Sequence, residues 1–169
     1  MKKAISILLS LILVAFSCAA LAESQTVRIG GTPVPHVEIL EFIKPLMAEK
    51  GFELEISTFN DYVIPNTAVE DGSLDANYFQ HIAYLNNFNQ ENGTHLVAVI
   101  PVHFEPMGVF KGRTESLDAL PDGATIGVPN DPSNEARALL LLETLGLIEL
   151  DPEAGVNATK LSITKNEKN

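Results

Sequence analysis

The 169-residue sequence contains one cysteine, Cys18, and no tryptophan. A single thiol excludes an internal disulfide and any thiolate cluster able to hold a metal. Basic residues are scarce too: 11 Lys and Arg stand against 22 Asp and Glu, for a formal charge of −11. Lys2 and Lys3 lie in an N-terminal leader that carries no acid, so loss of the leader moves the charge by two, to −13. Such a chain lacks the basic face that nucleic-acid phosphates require, and it repels anionic lipid. The sequence also lacks G-x-G-x-x-G and G-x-S-x-G, so Gly30-Gly31 and Thr32-Pro33 are no dinucleotide fingerprint and no hydrolase nucleophile motif occurs. His36, His81, His95 and His103 lack zinc-site spacing, so neither a metal nor a cofactor is expected. What remains is 46% apolar and 20% charged, the balance of a globular chain sized for one domain, or one lobe and a piece of another.

Residues 1–22 read as a secretory signal: two lysines, an apolar core from Ala4 to Phe16, then small residues. The apolar run is too short for a good membrane span. Two processing readings compete. Ala20-Leu21-Ala22 suits cleavage before Glu23, whereas Ala15-Phe16-Ser17-Cys18 is an imperfect box ending in a lipidated cysteine. Both place the mature chain outside the cytoplasmic membrane.

Val27 to Gly30 alternates as a strand does and runs into a turn at Gly31-Thr32-Pro33. Val37, Leu40, Ile43 and Met47 repeat at helical spacing with Gly51 as a stop, and Pro45 is expected to kink or shorten that helix. Phe52 to Ser57 reads as a second strand, completing a β-α-β unit that a parallel sheet explains. Leu96 to Ile100, Met107 to Phe110, Ala124 to Val128 and Leu161 to Ile163 are predicted as further strands. Asp131-Pro132 opens a helix with an N-cap acceptor and a proline at the first position, and Gly146 ends it. Ala138 to Leu142 is apolar on all sides and predicts a buried helix. Polar residues 111–123 suit a crossing between lobes, which divides the chain into a 1–22 signal, a first lobe over 23–110, and a crossing with a partial second lobe over 111–169.

Two regions could carry a site. Residues 61–88 hold five of the eleven Phe and Tyr residues: Tyr62, Tyr78, Phe79, Tyr84 and Phe88. A short strand at Ala76 to Phe79 leads into a helix opened by His81, whose face continues at Tyr84, Leu85 and Phe88. Strand ends are where open α/β sheets place ligands. Tyr62, Phe79, His81 and Tyr84 would give apolar walls with polar tips, the form of a small-ligand pocket; the same spacing also describes a core aromatic cluster. Arg137, near the first turn of an apolar helix, could hold a carboxylate by paired hydrogen bonds or could pair with Glu135. Asn66 and Asn134 suit turn and capping roles.

The blocks DYVIPNTA, DANYFQHIAYL, LVAV with EPMG, and PNDPSNEARALLLL with GLI resemble the MetQ/NlpA family, substrate-binding lipoproteins of bacterial methionine ABC importers. The resemblance runs from about Val27 to the last residue. It implies an α/β fold of the periplasmic-binding-protein type, first lobe plus an incomplete second lobe, because the family chain usually continues well past this length. It implies no enzyme activity and a ligand that is L-methionine or a close amino-acid relative, with Arg137 on the carboxylate and Tyr62, Phe79, His81 and Tyr84 around the side chain. Thioether contacts with aromatic faces contribute roughly 0.3–1.5 kcal/mol each. The resemblance also implies a membrane permease as partner and a lipid anchor on Cys18 at the outer face of the cytoplasmic membrane; cleavage after Ala22 would instead release a periplasmic or secreted protein. Two other readings stand beside it: a secreted hydrolase using His81 with Asp75, and a remnant that does not bind. On the incomplete-lobe reading, the Leu139 to Leu142 face is expected to be partly uncovered and residues 23–169 alone to bind methionine weakly.

Overall fold

The computed structural model describes residues 24–168; the leader, with Cys18 and the Ala22-Glu23 bond, lies outside the described residues. The chain forms two compact units that meet in sequence at Phe79 and Gln80.

The first unit is built on β1 (Gln25–Gly31), followed by a turn over Pro33–Val37, α1 (Glu38–Ala48), β2 (Phe52–Thr58), α2 (Ile64–Glu70) and β3 (Ala76–Tyr78). β1 is the central strand, parallel to β2 from Gln25↔Phe52 to Gly31↔Thr58 and to β3 from Ile29↔Ala76 to Gly31↔Tyr78. Parallel neighbours need crossover connections, which α1 and α2 supply. Leu40 of α1 and Leu54 of β2 are buried, as is Leu74 before β3. The helix spacing read around Leu40 therefore marks the covered face of the sheet.

Gly30 is required by contact rather than by its backbone angle. A Cβ there would lie 2.7 Å from Leu74 Cδ1 and 2.8 Å from the Phe59 ring, so the strand packs against both only without a side chain. Pro45 does not end α1, which runs on to Ala48. It stands on the exposed face, where the carbonyl of Glu41 that loses its helical partner is open to water.

α2 is a helix that periodicity does not disclose. Its seven residues begin after the Asp61 carboxylate accepts the N–H groups of Val63 and Ile64, both at 2.8 Å, with Pro65 in the first turn. Inside it Asn66 is fully buried, its Oδ1 accepting Asn77 Nδ2 at 2.8 Å. That bond ties α2 to β3 and gives Asn66 a partner without which burial would be costly.

The second unit comprises α3 (Ile82–Asn92), α4 (Pro132–Thr144), β4 (Ile148–Leu150) and β5 (Ile163–Asn166). α3 stops at Gly93, whose φ of 65° is the left-handed cap that glycine favours. β4 and β5 pair antiparallel. Ala136, Leu139 and Leu142 of α4 form a buried cluster with Ile148, Leu150 and Ala158. The Leu139 to Leu142 segment, expected to be partly uncovered, is buried at Leu139 and Leu142, onto which β4 and Ala158 pack, and only half-buried at Leu140 and Leu141.

The three strands predicted at 96–100, 107–110 and 124–128 are absent: residues 94–131 carry no helix or strand. Their residues are mostly apolar, yet Val99 and Phe110 are more than four-fifths exposed. A strand exists only where a neighbouring backbone pairs with it, and among the described residues no strand ladder includes this segment. The last strand is displaced from 161–163 to Ile163–Asn166, with Lys160–Ser162 forming a tight turn capped by Thr159. No helix among the described residues is long and apolar enough to cross a membrane.

Candidate functional site

In the first unit, β3 ends beside Phe79, which is buried, and the turn before α2 carries Tyr62, which is about half exposed. Their rings lie 5.7 Å apart between centroids at 34°. This is attractive offset geometry that leaves one ring in the core and one at the surface. His36, by contrast, is inside this unit: its Nδ1 is 2.7 Å from Thr32 Oγ1 and its ring stands edge-on to Tyr78 at 4.9 Å.

In the second unit, His81 is the N-cap of α3, and its Nδ1 accepts the N–H of Tyr84 at 3.1 Å. A neutral imidazole that accepts at Nδ1 carries its proton on Nε2. Nε2 lies 3.0 Å from Asn134 Oδ1, so His81 donates to that amide. Tyr84 is buried, with its ring edge-on to His81 at 6.4 Å and tilted against Phe88 at 6.2 Å. Tyr84, Leu85 and Phe88 are all buried, so the helical face read from the sequence is largely core; His81, at its end, is half-buried.

Arg137 stands half-buried on the second turn of α4. Its Nη1 donates to Asn134 Oδ1 at 2.8 Å, and Nη2 makes a long contact, 3.4 Å, with the carbonyl of Glu105. The Glu135 carboxylate accepts the Lys160 N–H at 3.2 Å. A guanidinium has five N–H donors, so these contacts orient Arg137 without saturating it.

Asp131 fixes the start of α4. Its Oδ1 accepts the backbone N–H of Asn134 and the Ser133 hydroxyl, both at 2.9 Å, and its two oxygens accept Asn134 Nδ2 at 3.1 and 3.0 Å. Partial burial works against the Asp131 carboxylate, but the donors from Asn134 and Ser133, helped by the charge His81 carries when protonated, hold its pKa below the usual carboxylate range. A lowered folded-state pKa means a stabilisation fully present above the ordinary aspartate value and lost as pH falls through the lower one. In urea titrations from pH 7 downward, Asp131→Asn therefore loses less stability on acidification than the parent, by about 1 kcal/mol or less at this largely solvated group. Parallel pH curves would remove Asp131 from the acid response.

Asp75 is engaged elsewhere. Arg28 binds it through Nη2 at 2.7 Å, Nε at 3.1 Å and its backbone N–H at 2.8 Å, and the side-chain bond, then the backbone one, lowers the Asp75 pKa. Sequence reasoning placed Arg137 and His81 on their elements but missed Asn134 as their common partner. The readable signal was its position, third after an Asp N-cap, where a side chain reaches back over the helix start.

A parallel β-α-β unit and helices that open at His81 and at Asp131 make this an α/β chain. The NlpA lipoprotein family model matches residues 27–169, and the chain belongs to that family. It is 43% identical over 152 residues to the methionine-binding lipoprotein MetQ of Bacillus subtilis, covering 88% of this chain and 56% of that relative. The crystal structure of a lipoprotein from Ruminococcus gnavus matches at 49% identity and a TM-score of 0.83, over 86% of this chain and 60% of that one. A nutrient-binding protein from Burkholderia cenocepacia, solved bound to methionine, matches at 41% identity and a TM-score of 0.80, over 84% and 61%. The chain thus spans about half the length of the curated relatives it matches.

Proposed function

We propose that the protein is the extracytoplasmic substrate-binding component of an ABC importer, taking up L-methionine or a close amino-acid relative and delivering it to a membrane permease. The observation that carries this reading is Arg137, half-buried on the second turn of α4 and oriented by Asn134 with donors to spare. That is the equipment for an amino-acid carboxylate. Tyr62 and Phe79 supply aromatic faces of the kind a thioether packs against. A methionine-binding relative and another solved with methionine bound support the ligand class. In the same reading the mature chain sits at the outer face of the membrane, anchored through Cys18, and contributes to two ligand-binding lobes.

A hydrolase finds less support. Both ring nitrogens of His81 are occupied, Nδ1 by the Tyr84 N–H and Nε2 by Asn134, and a base needs a free lone pair aimed at its proton. Asp75, its supposed partner, is bound by Arg28.

NMR titration of the chain from Glu23 onward with methionine and with alanine tests the binding reading, because chemical shifts report even millimolar affinity. Methionine is expected to bind more tightly than alanine, and Phe79→Ala is expected to weaken methionine more than alanine, since only the longer side chain packs on the ring. Equal response to the two amino acids, or none, would overturn the assignment. A uniform loss with lowered thermal stability in Phe79→Ala would make Phe79 a core residue only.

A further inference from the structure

The amide of Asn134 has an orientation that chemistry alone determines. Its Nδ2 faces the two oxygens of Asp131, which only accept, and its Oδ1 faces Arg137 Nη1 and the Nε2–H of His81, both of which donate. Turning the amide over would break every one of these bonds. One oxygen therefore holds two side chains that come from different helices, α3 and α4, 53 residues apart in sequence for the His81 bond. Asp131 meanwhile fixes the amide through its other end and caps the helix on which Asn134 and Arg137 ride.

We infer that Asn134 is a positioning residue: anchored by Asp131, it sets the Arg137 guanidinium for a ligand carboxylate and fixes His81 in its Nε2-protonated form as a donor to protein rather than an acceptor for ligand. The ligand role rests on the binding reading above; the geometry of the cluster does not. Two consequences follow from the donor and acceptor count. Arg137 has one Nη1 proton committed to Asn134, so the carboxylate is met by its remaining donors in an orientation chosen before the ligand arrives. Such preorganisation saves the ordering of a long side chain on binding. His81, with Nδ1 and Nε2 both used within the protein, offers the ligand a ring edge or face and no lone pair.

Asn134→Leu tests this, since leucine has nearly the same size and no polar atom. Before any ligand is added, the parent is expected to show resolved, slowly exchanging Arg137 Nη protons and a visible His81 Nε2–H in nitrogen-proton NMR spectra. Asn134→Leu should lose both, while the amides of Leu139 and Leu142 keep their parental shifts. With ligand, the variant should lose about tenfold in affinity for methionine and far less for methionine amide, which lacks the carboxylate. A merely structural role would lower both equally. Asn134→Ser, too short to reach both partners but a smaller disturbance to the helix, provides the same readouts if the leucine variant does not fold. Unchanged Arg137 and His81 signals in a folded variant would overturn the positioning role, as would lost signals with unaltered acid-to-amide preference. Parental NMR signals as described, with no response to methionine, would instead overturn the binding reading and leave the cluster's geometry standing.

Discussion

Arg137→Ala is expected to weaken methionine binding by about 2–3 kcal/mol, roughly 30- to 150-fold, the scale of a charged hydrogen-bonded contact that loses its partner. The size of the effect comes from what is left behind. Without the guanidinium, a carboxylate held at that point loses its charged donors and Asn134 Oδ1 loses its Nη1 donor. Methionine amide should bind the parent less well than methionine and be nearly indifferent to the substitution. Isothermal or NMR titration of both ligands against both proteins decides the matter, and equal losses for acid and amide would show Arg137 to be structural.

Leu142→Ala is expected to cost about 2–5 kcal/mol of stability in the second unit, through lost burial and the cavity left behind. Leu142 belongs to a small cluster with Ala136, Leu139, Ile148, Leu150 and Ala158, in which two members are alanines and two come from a three-residue strand. Such a core has little mass with which to refill a cavity. Leu145→Ala is the control: three residues on and 43% exposed, it should change stability by less than about 1 kcal/mol. Urea unfolding followed by circular dichroism, with amide exchange at Leu139, provides the measurement. Equal effects of the two substitutions would mean that the cluster does not hold the helix.

How much of this was legible beforehand depended on how local the cause was. The first β-α-β unit, the helix starts at His81 and Asp131 and the stop at Gly146 are written in spacings of a few residues, because capping and periodicity act within a turn or two. Helix α2 escaped notice: seven residues with a proline and two weak helix formers, Asn66 and Thr67, carry no period, and the helix stands on the Asp61 cap and on Asn77. Pro45 is tolerated in the last turn of its helix, which runs only three residues further, to Ala48, and so stops short of Gly51.

By itself the sequence determined the acidic, cysteine-poor character of the chain, its parallel α/β start and its principal helix ends. Each of these is set by composition or by neighbours along the chain. Tertiary structure alone decided that residues 94–131 form no strands, that Leu139 and Leu142 are covered, and that Asn134 joins His81 to Arg137. Strand pairing, burial and a shared hydrogen-bond acceptor all depend on a second segment arriving from far away, and no pattern within one segment records whether it does.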